Sequence, residues 1–515
     1  MKAALALLSG VLLAGSFPKF GHPACAWIAI SPLIVSAVLS ANGQTLGRPF
    51  RMGLLSGSVY FGGALYWVVN VMTTYGGLAP PVAALVGVLL VSYLALYPAV
   101  FAMLVASSVR RWGISGVWLA PCLWVGGEWV RSWFLSGFPW VMLGTSQASV
   151  IPIVQAASIV GVYGLSAIVA LVGTAAAVVA LTHRAGHRWA ALGVLLFVGA
   201  VATAGMLRVA QGTLTQTGTV LRVGLVQGNV EQGQKWNPAF RDAILNRYLE
   251  LSRQVIGGGA ALVIWPEAAT PFFFDTESAL AAPVRRLAVE ARMPFLIGTD
   301  EIVRSRDGRD AYYNSAVLVG ADGRSRASYK KMWLVPFGEY VPLKRVLFFV
   351  GPLVEAVSDF SAGTEPVVFD VDGRRVSVAI CYESIAPWLS RAFVRRGSQL
   401  LSTITNDAWF GRSSAAYQHF EQGAIRAVEE GRYVVRAANT GISGAVDPYG
   451  RVLRQTPLFE TMAINVDVRL HDGRTIYSYI GDVVAWVAAA VMAWTALQGV
   501  PWRRLRGLTA LRRTG

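Results

Sequence analysis

At residues 376–383 the chain reads Val-Ser-Val-Ala-Ile-Cys-Tyr-Glu, an apolar run that ends in a cysteine and a glutamate. A short run rich in Val and Ile is typical of a buried β-strand, so we predict that Cys381 stands at a strand end. The surrounding segment has an ordinary soluble composition, and strongly apolar sequence flanks it on both sides. This stretch therefore predicts a water-soluble segment that is attached to a membrane on both sides and carries a thiol at the end of one strand.

The composition of the whole chain indicates an integral membrane protein. Of its 515 residues, 54% are hydrophobic and only 14% are charged, whereas about 25% are charged in an average globular domain. Because about 20 apolar residues are needed to cross a bilayer, we predict about eight spans. The candidate segments lie at about 3–20, 24–40, 52–73, 81–108, 115–135, 151–182, 188–209 and 477–499.

Arginine residues follow every second apolar segment. They are Arg48, Arg51, Arg110, Arg111, Arg184, Arg188, Arg503, Arg504, Arg506, Arg512 and Arg513. Lys and Arg near the ends of spans are retained on the cytoplasmic side, so we predict that both termini are cytoplasmic and that the long soluble segment faces outward. Much of the +16 net charge then sets topology, which argues against nucleic-acid binding.

The chain divides into three predicted regions. Residues 1–214 form a membrane domain of seven helices, residues 215–472 form an outward-facing domain, and residues 473–515 form a last span with a basic cytoplasmic tail. Strand-like runs in the outward domain lie at 220–227, 261–265, 294–298, 314–320, 376–381, 400–405, 433–438 and 463–468. Helical patterns lie between them at 238–255, 277–291, 385–396 and 415–430, the first capped by Asn237. Alternating strands and helices predict a layered α/β fold.

Three polar residues follow predicted strands or lead out of them: Glu267, Lys331 and Cys381. Ligands of open α/β sheets bind outside the carboxyl ends of strands, so these side chains are expected to meet in one crevice. Cys381 has no disulfide partner there, because Cys25 and Cys122 lie in predicted spans. A buried, inert cysteine is the alternative interpretation.

A nucleophilic cysteine needs a proton acceptor, because its pKa of about 8.5 leaves little thiolate near neutrality. The outward domain offers only His419, inside a predicted helix, and His471, at its exit. The outward domain therefore offers better candidates for a carboxylate base with a lysine than for a Cys-His pair.

These residues resemble the nitrilase superfamily of carbon–nitrogen hydrolases, whose Glu-Lys-Cys triad occurs in this chain order. The resemblance to its membrane-embedded family, the bacterial apolipoprotein N-acyltransferases, covers nearly the whole chain. The segments that carry it are 228–229, 235–236, 313–315, 334–342, 406–410, 128–131 and 137–140. Met332 and Trp333 depart from the expected polar pair, and the eight-residue spacing to Glu339 selects Lys331 over Lys330.

The resemblance implies a nitrilase-like αββα sandwich and an acyl transfer without a cofactor or a metal ion. Glu267 would accept the thiol proton, Cys381 would attack a phospholipid ester to form a thioester, and Lys331 would stabilise the oxyanion. The acyl group would then pass to the α-amine of the diacylglyceryl-cysteine at the N-terminus of an apolipoprotein. The resemblance also implies a bacterial inner-membrane location with a periplasmic catalytic domain, and we expect a monomer.

Five further residues are candidates for supporting this site. Glu339 and Glu383 would orient Lys331 or tune its charge, although carboxylates at strand ends can simply be solvated. Tyr382 and Trp236 would shape an acyl-binding site, or serve only in packing. Asn314 would support the triad by hydrogen bonding.

Two features of the sequence leave alternatives open. Glu128 and Arg131 lie three residues apart in a predicted span, where charges usually mark a functional site; a structural pair that locks helix packing is the other interpretation. Apolar loops at 271–274, 346–350 and 409–410 could touch lipid or form a lid, or they could be buried under a sheet.

Two other classes of function compete with acyl transfer. A membrane-tethered amidase acting on a small amide would keep the same triad, but it needs only one anchor rather than eight spans. A non-enzymatic transporter or lipid-binding scaffold would need neither Glu267 nor Lys331 nor Cys381. No metal-ligand spacing and no phosphate-binding loop is present in the sequence.

Overall fold

Apolar helices precede and follow an α/β part that contains two six-stranded sheets. The computed structural model describes residues 1–41, 45–304, 310–336, 338–340 and 360–499. The predicted apolar loop at 346–350, the basic tail beyond residue 500, and positions 337 and 341–342 of the 334–342 motif lie outside these ranges.

All eight predicted apolar segments contain helix. The helices before the sheets are α1 (Lys2–Ala14), α2 (Ala26–Ala29), α3 (Ser31–Ser40), α4 (Gly47–Ala64), α5 (Trp67–Thr74), α6 (Pro80–Trp112), α7 (Ala120–Arg131), α8 (Ile151–Val154), α9 (Ala157–Leu181), α10 (Ala185–Gln211) and α11 (Thr213–Gln216). Those within and after the sheets are α12 (Arg241–Gly257), α13 (Ser278–Ala291), α14 (Pro387–Arg395), α15 (Ala415–Glu430), α16 (Ile476–Ile480) and α17 (Val483–Gly499).

Among the described residues, four helical stretches are long and apolar enough to cross a membrane. They are Pro23–Ser40, Pro80–Arg131, Ala157–Leu181 and Ala185–Gln216, and α4 with α5, bent by 53°, makes a fifth if the pair is one span. The 52-residue stretch Pro80–Arg131 contains two of the predicted spans, and α1 and the last helix are shorter than a span. The helical part is therefore compatible with a membrane domain, and the count of eight stays a prediction.

The two sheets have the strand orders β12-β1-β2-β3-β4-β5 and β11-β10-β9-β8-β7-β6. The strands are β1 (Thr219–Gln227), β2 (Leu262–Ile264), β3 (Phe295–Arg304), β4 (Asp310–Val319), β5 (Ser325–Lys330), β6 (Val368–Val371), β7 (Arg374–Ile380), β8 (Leu400–Thr405), β9 (Val434–Ala438), β10 (Gly444–Val446), β11 (Val452–Gln455) and β12 (Met462–Leu470). In each sheet three neighbouring strands are parallel, β1 to β3 and β7 to β9, and the flanking strands are antiparallel.

Alternate residues of the same strand enter different cores. Leu262 and Ile264 of β2 pack into the core that joins the two sheets, whereas Val263 packs with α12 and α13 on the outer face of the first sheet. This is the period of two that a strand imposes on its side chains. The layers run helix, sheet, sheet, helix, which confirms the predicted α/β sandwich.

The eight predicted strands and four predicted helices of this part are all present. Four strands, β5, β6, β10 and β11, were not predicted. They are short or polar, and β11 is exposed along its whole length, so they lack the apolar signal of a buried strand. Asn237 acts as a cap as predicted, since its side chain accepts a hydrogen bond from the Ala239 N–H, but it caps a short 3₁₀ turn before α12.

The α/β part is joined to the helical part through α15. Gln418 of α15 is buried, and its Oε1 accepts hydrogen bonds from the indole nitrogens of Trp67 (3.3 Å) and Trp140 (2.7 Å). Its Nε2 donates to the backbone oxygens of Pro18 (3.1 Å) and Ala64 (3.2 Å). One side chain therefore satisfies four polar groups of the helical part, and this holds the strand ends of the second sheet against the apolar helices.

Candidate active site

Cys381 begins a 3₁₀ turn, Cys381–Ile385, directly after β7. Its backbone φ is +54°, in the left-handed region that side chains with a Cβ rarely adopt. Strained residues of this kind cluster at active sites, where the surrounding structure holds them in place. The thiol is free and the residue is only partly buried. The strand thus delivers the cysteine into a turn whose backbone is held in a costly conformation.

Glu267 follows β2 and is almost completely buried. Its Oε1 accepts hydrogen bonds from Asn314 Nδ2 (2.7 Å) and Lys331 Nζ (3.4 Å), and its Oε2 accepts one from the Asn406 N–H (2.7 Å). Burial alone would raise the pKa of Glu267, but the Lys331 charge and these donors lower it below its ordinary value. Glu267 is therefore a carboxylate at neutral pH.

Lys331 follows β5 and is 1% exposed. Its Nζ lies 2.8 Å from Glu339 Oε1 and 3.4 Å from Glu267 Oε1. Burial alone would lower the pKa of Lys331, but the two carboxylates raise it above its ordinary value. The side chain is therefore a buried ammonium group between two carboxylates.

The charges of Glu267 and Lys331 both act on the Cys381 thiol. Burial and the Glu267 carboxylate raise the pKa of Cys381, and Lys331 opposes part of that rise. The structure thus brings the three predicted residues together, although they lie far apart in the chain. At rest the group consists of a carboxylate, an ammonium and a thiol, so the proton that a nucleophilic attack must remove is still on sulfur, and the nearby carboxylate is free to accept it.

Glu383 joins the cysteine turn to the segment that carries Lys331. It is completely buried, and its Oε1 accepts hydrogen bonds from Tyr329 Oη (2.8 Å), the Met332 N–H (2.7 Å) and the Trp333 N–H (3.1 Å). Its Oε2 accepts one from the Ile380 N–H (2.8 Å). Burial raises the pKa of Glu383 to about 7. This carboxyl group is not solvated at a strand end but ties the two segments to each other.

Asn314 and Glu339 also lie in the polar cluster. Asn314 Nδ2 donates to both Glu267 Oε1 (2.7 Å) and Glu339 Oε1 (2.9 Å). Glu339 Oε2 accepts from the Val335 N–H (2.8 Å). The two carboxylates are thereby held on either side of the Lys331 ammonium.

The two predicted aromatic residues occupy different surroundings. Tyr382 is buried, with its ring parallel to Trp140 at 6.2 Å and tilted against Trp333 at 4.7 Å. Trp236 is 43% exposed and contacts Phe273 at 5.7 Å. Tyr382 therefore connects the cysteine turn to the apolar helices, whereas the described ring contact of Trp236 is with a loop of the first sheet.

A second polar group beneath the cysteine turn was not predicted. His419 Nε2 lies 3.1 Å from the backbone oxygen of Cys381, and its Nδ1 contacts Asp407 and Arg436. The sequence argued against His419 as a base for the thiol, and its contact here is with the backbone of Cys381. The sequence feature that could have indicated this polar group is Arg436, a charged residue in the otherwise apolar strand β9.

Lys235 is the second unpredicted residue beside the candidate base. The sequence identified it only as part of a motif, yet it is buried and its Nζ donates to the backbone oxygen of Glu267 at 3.2 Å. The carboxyl of Asp300 is buried nearby, and burial raises the pKa of Asp300 to about 7. The charge of each residue acts on the pKa of the other. Burial lowers the pKa of Lys235, and its amino group is a second buried amine close to Glu267.

Glu128 and Arg131 both bind the backbone that carries Trp140. Glu128 Oε1 accepts hydrogen bonds from Trp124 Nε1 (3.0 Å) and the Leu143 N–H (2.6 Å). Arg131 Nη1 donates to the Trp140 carbonyl oxygen (2.7 Å). The two charged side chains thus anchor the segment whose tryptophan packs on Tyr382.

The described apolar loops differ in their surroundings. Phe272 and Phe274 are buried in the core between the first sheet and its helices, as the packing interpretation required. Phe410 packs against Trp67 and Trp140 of the helical part. The loop after β8 therefore contacts the apolar helices beside the cysteine turn.

Apolar helices joined to a two-sheet sandwich, with a buried Glu and Lys beside a partly buried Cys, define the class of this molecule, a membrane-associated protein of the carbon-nitrogen hydrolase kind. Residues 222–477 match the carbon-nitrogen hydrolase family, and residues 9–175 match the apolipoprotein N-acyltransferase N-terminal domain. The chain belongs to the apolipoprotein N-acyltransferase family.

Relatives of nearly the same extent support this membership. The chain is 42% identical to the apolipoprotein N-acyltransferase of Geobacter metallireducens, over 94% of this chain and 93% of that protein. It is 35% identical to that of Methylococcus capsulatus (94% and 93%) and 34% identical to that of Nitrosomonas europaea (91% and 91%). An amidase of the nitrilase superfamily from Nesterenkonia is 21% identical, with a TM-score of 0.38 over 49% of this chain and 92% of the amidase.

Proposed function

We propose that this protein transfers a fatty acyl chain from a phospholipid to the α-amine of the diacylglyceryl-cysteine at the N-terminus of an apolipoprotein. Membership of the apolipoprotein N-acyltransferase family supports this assignment. The observation that carries it is the position of the cysteine turn. The charges of Glu267 and Lys331 act on the Cys381 thiol, while the next residue, Tyr382, packs on Trp140 of the apolar helices. The nucleophile thus lies between buried polar groups and the apolar helices.

In the first half of the reaction, the acyl chain moves from the lipid to Cys381. Glu267 accepts the thiol proton as Sγ attacks the ester carbonyl, and the Lys331 ammonium stabilises the oxyanion of the tetrahedral intermediate. The carbon–oxygen bond of the ester then breaks, and the leaving alkoxide takes the proton back from Glu267. The products are a thioester on Cys381 and a lysophospholipid.

In the second half, the free amine attacks the thioester. Glu267 accepts a proton from the nitrogen, the carbon–sulfur bond breaks, and the thiolate of Cys381 is reprotonated. The product is an amide, and the enzyme returns to its starting state. No redox step is involved, so the proposed sequence balances with protons moving between Glu267, sulfur and the two substrates.

The supporting residues have separate roles in this proposal. Glu339 and Asn314 hold Lys331 and Glu267 at their positions, and Glu383 holds the cysteine turn against the lysine segment. Tyr382 lines the side of the site that faces the helices. Trp236, which is partly exposed, shapes the outer approach for the acyl chain.

The membrane arrangement that fits this function has eight spans, seven before the catalytic domain and one after it. The proposed regions are residues 1–214, 215–472 and 473–515. Large apolar side chains on α10 are exposed, including Trp189, Leu195 and Leu196, as expected for contact with lipid tails. We propose a monomer in the bacterial inner membrane, with both termini in the cytoplasm and the catalytic domain in the periplasm.

Intact-mass analysis of the purified full-length protein with phospholipid tests the proposal. We expect the wild type to gain the mass of one fatty acyl group, the adduct to be removed by hydroxylamine, and Cys381→Ala to gain nothing. Cys25→Ala is the matched control, since it removes a cysteine of the helical part and should acylate like the wild type. Addition of a diacylglyceryl-cysteine peptide should move the same mass to the peptide amine.

Two results would contradict the proposal. A wild type that stays unmodified with phospholipid under turnover conditions would rule out the thioester. An adduct that is lost only to water, with no acyl transfer to the peptide, would instead favour the hydrolytic activity of an amidase or esterase.

A further inference from the structure

His419 lies beneath the cysteine turn, and none of its side chain is exposed. Its Nε2 is 3.1 Å from the backbone oxygen of Cys381 and 3.0 Å from Ser384 Oγ. On the other side of the ring, Nδ1 is 2.9 Å from Arg436 Nη2 and 3.1 Å from Asp407 Oδ1. The imidazole therefore joins the backbone of the cysteine turn to a buried ion pair.

These contacts determine which ring nitrogen carries the proton. Nδ1 lies between a donor, Arg436 Nη2 at 2.9 Å, and an acceptor, Asp407 Oδ1 at 3.1 Å. The contact with Arg436 is the shorter one, so in a neutral ring Nδ1 accepts and the proton is on Nε2. The carbonyl oxygen of Cys381 can only accept, which requires the same arrangement. Asp407 Oδ1 receives a hydrogen bond from Thr405 Oγ1 (2.8 Å), and its Oδ2 receives one from Arg436 (2.8 Å). Burial and the Arg436 charge lower the pKa of His419, which keeps the ring neutral.

A ring in this state cannot serve as the base for the thiol. Its Nε2 already carries a proton and faces a backbone oxygen, and its Nδ1 lone pair is occupied by Arg436. His419 must act on the site through the peptide group that it touches, the one between Cys381 and Tyr382.

That peptide group has a second end, the N–H of Tyr382. In a planar trans peptide the N–H points opposite to the C=O, so a carbonyl directed toward His419 turns the N–H to the opposite side. Among the described residues, no hydrogen-bond acceptor is found for the Tyr382 N–H. An unpaired backbone N–H beside a nucleophile is suited to receive the oxyanion of a tetrahedral intermediate.

We infer that His419 is a positioning residue for acyl transfer, which holds the carbonyl of Cys381 and thereby directs the Tyr382 N–H at the developing oxyanion. This role rests on the proposed function, because an oxyanion forms only when the thiol attacks a carbonyl. Arg436 and Asp407 hold the ring, and Arg436 and the Cys381 carbonyl set its tautomer. The positive φ of Cys381 is the conformation that this contact maintains.

Two variants of His419 separate this role from simple packing. The amide nitrogen of glutamine reaches the position of Nε2, so His419→Gln keeps a donor to the Cys381 carbonyl. The shorter asparagine reaches only the position of Nδ1, so His419→Asn keeps a polar group near Arg436 and Asp407 but loses that donor. Removing a whole oxyanion donor typically costs about 10²- to 10³-fold in rate. We therefore expect His419→Asn to lower kcat at least about tenfold with little change in KM, and His419→Gln to stay within about threefold of the wild type.

The measurement is the rate at which the full-length enzyme forms its acyl adduct, with phospholipid and separately with a p-nitrophenyl fatty acid ester. Alkylation of Cys381 by iodoacetamide is the control, since it forms no oxyanion and should proceed equally in both variants and the wild type. A parallel loss of acylation and alkylation in His419→Asn would indicate a collapsed site and overturn the inference. Equal acylation by His419→Asn and the wild type would overturn it as well.

The two acyl donors distinguish this inference from the proposed function. If the wild type reacts with the ester but not with phospholipid, the phospholipid donor is wrong, and the variants still test His419 with the ester. If the wild type reacts with neither, both the proposed function and the role of His419 are refuted.

Discussion

Replacing Glu383 with glutamine should misalign the two segments that carry the nucleophile and the lysine. The buried carboxylate accepts four hydrogen bonds, three on Oε1 from Tyr329, Met332 and Trp333 and one on Oε2 from Ile380. All four partners donate. A glutamine can present its oxygen to three of them, but its NH₂ group then faces the Ile380 N–H, and the link to β7, the strand that leads into Cys381, is lost.

The size of the effect follows from that single unpaired donor. A buried donor without a partner costs about 1–3 kcal/mol, which corresponds to about 5- to 150-fold in an equilibrium. The opposite orientation of the amide would place NH₂ against the N–H groups of Met332 and Trp333, so it does not offer a cheaper arrangement. We expect Glu383→Gln to lower the rate of acyl-enzyme formation by about tenfold or more and to lower the melting temperature.

The assay compares acyl-enzyme formation and thermal unfolding of the full-length protein in detergent at about pH 8, where a carboxyl with a pKa of about 7 is ionised. Glu421→Gln is the matched control, because burial also raises the pKa of Glu421 to about 7, but Glu421 lies on α15 and is not among the residues that join the cysteine turn to the lysine segment. If Glu383→Gln acylates and melts like the wild type, the four hydrogen bonds do not position the site and the reasoning is refuted.

Three further predictions follow from buried groups. Burial raises the pKa of Asp300 from 3.8 to about 7. Its stabilising contribution is therefore fully present below about pH 4 and is lost as the pH rises through about 7. Asp300→Asn should reduce the fall in melting temperature between about pH 5 and pH 8, and an unchanged profile would contradict this. Gln418→Leu removes four hydrogen bonds to the helical part. At about 1 kcal/mol for each bond, it should destabilise the protein by about 4 kcal/mol. The melting temperature of Gln418→Leu should therefore be lower than that of the control Gln422→Leu on the same helix. Lys331→Met should abolish acyl-enzyme formation, measured by intact mass. Lys330 lies 4.2 Å from the Tyr313 ring, and Lys330→Met should leave acyl-enzyme formation nearly unchanged. The reverse result would move the catalytic role to Lys330.

Much of the fold could be predicted because its signals are local. Runs of Val and Ile identified eight strands, and each of the eight apolar segments that length selected contains helix. Strands such as β11, exposed at the edge of a sheet, have no such signal, since solvent on both faces removes the alternation of apolar and polar residues. The number of spans is not decided by apolar length alone, since α1 and the last helix are short and one 52-residue stretch contains two predicted spans.

The candidate site was predictable only as a set of residue types at strand ends. That Glu267 and Lys331 lie 3.4 Å apart agrees with the expectation that these strand ends meet. The role of Glu383 as a tether could not be derived, because its four partners become neighbours only when β5 and β7 come together. His419 was set aside as a base, and its contact with the Cys381 carbonyl depends on how α15 packs.

The amino-acid sequence by itself determined the order of strands and helices, the apolar segments, and the Glu, Lys and Cys that resemble a known triad, since these depend on periodicity and residue type within short windows. Only the tertiary structure decided the protonation states and the contacts that hold the site, since burial and neighbouring charge depend on groups that are distant in the chain. The Asn406 N–H that binds Glu267, 139 residues away, and the Gln418 amide that binds Pro18, 400 residues away, exist only because folding brings these groups within hydrogen-bonding distance.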